Sequence, residues 1–165
     1  TWQQKKQMVK FTRRQSKGMN GMVVENKIER LCCFYVSDYH LEMILLPYIS
    51  KKINEKIIIK TEKNLRETVK ILVSKTNLSE EEKEKILNLG WDNEENKKIE
   101  DKSNIIIIGN KDYIDNINIE IKEKEIKDAT IVDCYDFEES REKMEKILND
   151  YKSSLNTMGI DDIRN

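Results

Sequence analysis

The sequence predicts an α/β domain of three layers, built on a mainly parallel sheet of four or five strands and closed by a long C-terminal helix. Three observations carry that expectation. Short apolar runs, "RLCCFYV", "KIIIKT", "NIIIIG" and "ATIVDCYDF", alternate with longer amphipathic stretches, the order expected when a crossover helix follows each strand. The runs are nearly continuous in Ile, Val and Cys, as strands covered on both faces are. The chain is 38 % apolar and 37 % charged. Its isoleucines cluster, so a modest core lies under a heavily solvated surface.

Residues 30–36 read as the first buried strand. Ser37 or Asp38 caps a helix that runs to Ile53, with Leu41, Ile44, Leu45, Tyr48 and Ile49 as its apolar stripe. Pro47 lies inside this helix, lacks an N–H, and predicts a kink or an early break. Residues 56–61 form the second strand. Residues 62–76 follow as a helix with Leu65, Val69, Leu72 and Val73 on one face. "NLSEEEKEKILNL" reads as another helix, in which Ser79 is the N-cap and Glu82 completes a capping box. "LNLGWD" either ends that helix at Gly90 or forms a short strand through Trp91. The polar run from Asp92 to Asn104 reads as a surface loop. Residues 104–109 are the third strand, 111–122 a helix and 129–137 the fourth strand. The last helix spans 138–158 through Met144, Ile147, Leu148, Tyr151 and Leu155, and Gly159 is its stop.

Charge divides the chain. Residues 1–21 carry six basic side chains and no acid, and the other 144 carry 24 basic and 31 acidic ones, a net of −7. The first segment reads as a disordered basic leader and residues 22–165 as a single domain. A net negative surface does not favour nucleic acid on that domain. Three cysteines make no disulfide framework, since Cys32 and Cys33 are adjacent and no CxxC exists. No run of 18 apolar residues suggests a membrane span. The expectation is a cytoplasmic protein with reduced thiols.

Ligands of parallel sheets bind at the carboxyl ends of the strands. That rule selects Tyr35, Ser37, Asp38 and His40 after the first strand, and Thr61, Glu62 and Asn64 after the second. It selects Gly109, Asn110 and Asp112 after the third, and Tyr135 and Asp136 after the fourth. None of the five glycines falls in a phosphate-binding loop pattern. Gly109 alone opens a strand-to-helix turn, where one anion could sit at a helix N-terminus or where the chain simply turns tightly. "VSDYH" resembles the Asp-x-His motif that opens metallophosphoesterases. Two metal ions need several imidazoles and carboxylates, and the chain has one histidine, so that chemistry is set aside. Adjacent strand cysteines point to opposite faces, and buried cysteine is ordinarily a small hydrophobe. His40 sits in a helix's first turn, where the dipole favours a neutral ring. Capping, pocket lining and surface exposure all fit it. The tyrosines fit either an aromatic wall or a core.

The segment "CCFYVSDYHLEMILLPYISKKINEKIIIKTEKN" resembles the opening of the MEDS domain, the methanogen/methylotroph sensory domain. "VDCYDFEESREKMEKILNDYKSSLNTMGI" is similar to that family's closing strand and last helix. The likeness spans about residues 28–160. It implies a RecA/Rossmann-like fold without a phosphate-binding loop and a role in sensing small organic molecules. No helix-turn-helix or kinase motif accompanies it, so sensing would work through a signalling partner protein. The leading expectation is therefore a non-enzymatic sensing module without cofactor or metal. Tyr35 and Tyr135 would wall its pocket, with Asp38, His40 and Asp136 as polar anchors. A protein-interaction domain without ligand is the alternative, and a small hydrolase or thiol enzyme is a third.

Overall fold

The computed structural model describes residues 26–93 and 97–163. The basic segment 1–21, expected to be a disordered leader, lies outside them. In chain order the elements are β1 (Lys27–Tyr35), α1 (Asp38–Lys51), β2 (Ile57–Thr61), α2 (Arg66–Ser74), α3 (Glu80–Leu87), β3 (Ser103–Gly109) and α4 (Lys111–Glu123). Then come β4 (Asp128–Asp136), the short α5 (Phe137–Ser140), a 3-10 turn (Arg141–Lys143), α6 (Met144–Asn149), β5 (Ser153–Asn156) and β6 (Gly159–Asp162). The described residues form one six-stranded sheet in the order β2-β3-β4-β1-β5-β6. Every neighbouring pair is parallel except β5 with β6.

Local chemistry accounts for the boundaries. Ser37 accepts a hydrogen bond from His40 N–H and starts α1. Ser79 and Glu82 form the reciprocal capping box of α3. Helix α1 runs through Pro47 to Lys51 without breaking there. Pro47 and Met43, the residue whose carbonyl loses its N–H donor, are both exposed, so the missing bond falls on the watery face. Helix α2 starts later than expected, because Thr61, Lys63 and Asn64 make turn hydrogen bonds of their own. "LNLGWD" forms no strand; α3 ends at Leu87 and Trp91 folds back, its Nε1–H donating to Ile86 O at 2.8 Å.

Side chains alternate across the sheet and make two cores. Beneath α1, α2 and α3 lie Cys33, Tyr35, Ile106, Ile108, Val132 and Cys134. Beneath α4 and α6 lie Cys32, Ile105, Ile107, Ile131 and Tyr135. This is the expected three-layer arrangement, and the two adjacent cysteines do part to opposite faces.

The long C-terminal helix is not present. The stripe that suggested it sends its members to different sides: Ile147 and Tyr151 join the core under α6, and Leu155 joins the other one. One helix face cannot do that. Ser153, Ser154, Asn156 and Thr157 also favour strand and turn over helix. The chain turns in at Tyr151, adds β5 beside β1 and then β6 beside β5, which brings the sheet to six strands. Gly159 closes the hairpin at φ 111° rather than stopping a helix, a conformation that side chains resist. Asn156 Oδ1 accepts from Met158 N–H at 2.8 Å and holds the turn.

The outer edge of β2 is covered by the polar loop before β3. Lys97 Nζ donates to Ile59 O at 2.6 Å and also to Gly90 O. Lys60 Nζ donates to Lys97 O at 2.5 Å. Among the described residues no helix is long and apolar enough to cross a membrane.

Candidate functional site

Register sets which strand-end residues meet. Tyr35 pairs with Asp136 and Phe34 with Tyr135, so Asp38 and Asp136 follow the same end of the sheet. The five expected ligand residues nevertheless do not form one pocket. Tyr35 and Tyr135 belong to opposite cores, because each lies one residue out of step with the other along paired strands. Tyr35 is buried, with Lys63 Nζ 5.1 Å from its ring centroid. Asp38 Oδ1 holds the same ammonium at 2.9 Å. Asp136 caps α5, accepting from Glu138 N–H and Glu139 N–H. His40 Nδ1 accepts from Val36 N–H at 3.0 Å. This ties the ring to the turn before α1 and puts the hydrogen of a neutral ring on Nε2.

The turn after β3 is already occupied. Glu62 Oε1 accepts from Asn110 N–H at 3.0 Å, next to the N-terminus of α4. A Cβ on Gly109 would stand 2.9 Å from that oxygen and 2.7 Å from the Tyr113 ring. The glycine therefore serves close approach by the chain's own carboxylate.

A different group of side chains, centred on Asp133, builds a concave site on the α4 and α6 face. Asp133 stands in the middle of β4 and is fully buried. Arg30 Nη2 from β1 reaches its Oδ2 at 3.0 Å, and Tyr151 O–H donates to the same oxygen at 2.5 Å. Asn118 Nδ2 from α4 donates to Oδ1 at 3.1 Å. The Tyr135 and Tyr151 hydroxyls lie 2.8 Å apart. Burial raises the Asp133 carboxyl pKa, opposed by the Arg30 charge and these three donors. Burial is the largest single effect on Arg30 and lowers its pKa, but the Asp133 charge and hydrogen bond together with the two tyrosines outweigh it and the guanidinium pKa rises. Burial also raises both tyrosine pKa values. By its geometry the network is an Arg30–Asp133 salt bridge beside neutral phenols, and deleting one charge of a buried pair costs about 3–5 kcal/mol.

Above this floor, between α4 and α6, opens a cleft of about 390 Å³. Arg30, Tyr135 and Tyr151 reach it from below, Ile119 and Ile147 wall it, and Lys111, Asp115, Asn118 and Asp150 complete the lining. Lys111 is paired with Asp115 at 2.7 Å. The Arg30 side chain is a quarter exposed, yet its Nε–H is buried and makes no hydrogen bond. An N–H left in that state is a cost to the fold, and the exposed part of the guanidinium is what faces the cleft.

One further polar group is buried in the opposite core layer. Glu42 of α1 is fully covered, donor Thr68 Oγ1 satisfies its Oε2, and its Oε1 has no partner. Burial raises its carboxyl pKa to about 7.

The thiols are buried and free. Burial pushes Cys32 up to about 12 and Cys134 upward as well. Among the described residues no three His, Cys, Asp or Glu side chains gather as a metal site. The residues missed by the strand-end rule had one legible signal. Asp133 interrupts an Ile/Val strand, and a charge in a buried run needs a partner. In the sequence Arg30 marks only a strand boundary, and Tyr151 fits a helix stripe. Comparison with protein-family models, with curated proteins and with solved structures found no match.

Proposed function

We propose that this protein is a non-enzymatic module that binds a small organic acid in the cleft between α4 and α6 and reports its presence to a signalling partner. The observation that carries the reading is the cleft floor. A guanidinium fixed by Asp133 is a quarter exposed there, beside aromatic and aliphatic walls. A carboxylate would answer the exposed part of Arg30, at a distance from Asp150 and from Asp115, whose charge Lys111 already balances. Tyr135, Ile119 and Ile147 would cover an apolar body. The volume lies in the range of small-molecule sites. The resemblance to the MEDS domain supports a sensory role. The raised thiol pKa values count against thiolate chemistry.

Native mass spectrometry of freshly purified protein tests this directly. The expected result is a retained small acid, lost in Arg30→Gln, whose Asp133 partner keeps Tyr151 and Asn118. In parallel, benzoate and other monocarboxylates should raise the melting temperature of the wild type and not of that variant. An empty protein that no carboxylate stabilises would sink the reading.

An interaction domain without ligand is the second reading. It is favoured by Tyr35, Asp38 and Asp136, whose polar contacts are made within the fold.

A further inference from the structure

On a surface so rich in charge, the solvent side of α1 is unexpectedly apolar. Tyr39, Met43 and Pro47 recur four residues apart and so lie on one exposed ridge. The ridge runs into a second cleft, of about 420 Å³, between the C-terminal half of α1 and the β5–β6 hairpin. Its floor is Ile44, Tyr48 and Leu155, all buried. Its far wall carries Met158, 90 % exposed, and Ile160, 56 % exposed. Exposed methionine in a groove with an apolar floor is costly to leave in water and adapts to varied partners.

Charge decides what fits. The charged residues lining the cleft are Lys51 and Lys52, both cations. Lys52 stands 5.9 Å from the Tyr48 ring centroid and 3.9 Å from Glu55, a loose pair on the rim. Lys51 makes no ion pair among the described residues. The rest of the domain is net negative, so this basic end of an apolar groove stands out locally. Pro47 contributes a further feature, since its ring withholds the N–H that would bond the Met43 carbonyl. That carbonyl is left as an acceptor on the same ridge.

We infer that the groove between α1 and the β5–β6 hairpin docks an amphipathic helix of a partner protein, its apolar face on Met43, Pro47, Met158 and Ile160 and its acidic flank on Lys51 and Lys52. The chain's own residues 1–21 do not suit it, because they bring six cations and no acid. A second copy placed by two-fold symmetry would set the same lysines near one another. The surface lies on the opposite face of the sheet from the α4–α6 cleft and does not depend on that cleft being filled.

The test is an NMR titration of the full chain with a synthetic 14-residue helix carrying leucines at helical spacing and glutamates beside them. Amide shifts should concentrate on residues 43–52 and 155–160. Affinity should fall at least tenfold in Met158→Asp/Ile160→Asp. In Lys51→Glu/Lys52→Glu the preference should reverse to a lysine-flanked version of the helix. All four side chains are on the surface, and circular dichroism melts check that the variants fold. No shifts, shifts elsewhere, or equal binding of acidic and basic helices overturns the inference. So does saturation of the same groove by a 1–21 peptide, or a dimer in sedimentation that Met158→Asp abolishes.

Discussion

Glu42 shows how one side chain makes stability depend on pH. The folded carboxyl holds its proton up to about pH 7, whereas the unfolded one releases it near 4.5. The folded state therefore binds more protons between those values, and stability is lost as pH rises from about 4.5 to about 7. Glu42→Gln keeps the shape without the ionisation. Urea melts should show the variant more stable than wild type at pH 8, by on the order of 2 kcal/mol after discounting for solvent screening, and little different at pH 4. A variant that is destabilised equally at both values would contradict this account. Glu42 was hard to read in sequence, because a glutamate between Leu41 and Ile44 looks like any polar helix position. Only the packing of α2, which brings Thr68 over it, makes it a buried acid.

At the scale of elements, strand positions were legible because unbroken Ile and Val runs have few other uses in a charged chain. The capping box of α3 was legible because its two residues lie three apart. The C-terminal segment misled because its apolar residues satisfy a helical spacing while Ser153, Ser154 and Gly159 favour strand and turn. Tyr151 settles the matter through a contact 18 residues away, with Asp133. That long-range contact is invisible in local periodicity, and so is the cleft it floors. Helix α1 offers a test of local cost. Pro47 forfeits one backbone hydrogen bond on an exposed face, so Pro47→Ala should stabilise the protein by about 1–3 kcal/mol, read as a higher urea midpoint at unchanged slope.

Over the whole molecule, the last strands are structural rather than decorative. β5 lies along β1 and contributes Leu155 to the core beneath α1. A chain ending at Tyr151 would keep the Asp133 network but expose the edge of β1 and the underside of α1. Such a truncation should melt at a lower temperature and scatter light on concentration, where the full chain stays clear. If it were as stable and as soluble as the full chain, the hairpin would be an appendage.

The lysines at the far edge have a consequence of another kind. Strands β2 and β3 carry runs of three and four isoleucines, the sort of segment that stacks into cross-β fibrils when its margin is bare. Lys97 reaches across that margin to the Ile59 carbonyl, and the hairpin's outer strand ends in Asp161 and Asp162. Growth of the sheet is thus refused on both flanks by charge: an incoming strand would have to displace an ammonium on one side or lie against carboxylates on the other. The same edges let the fold keep its isoleucine-rich centre without templating its neighbours.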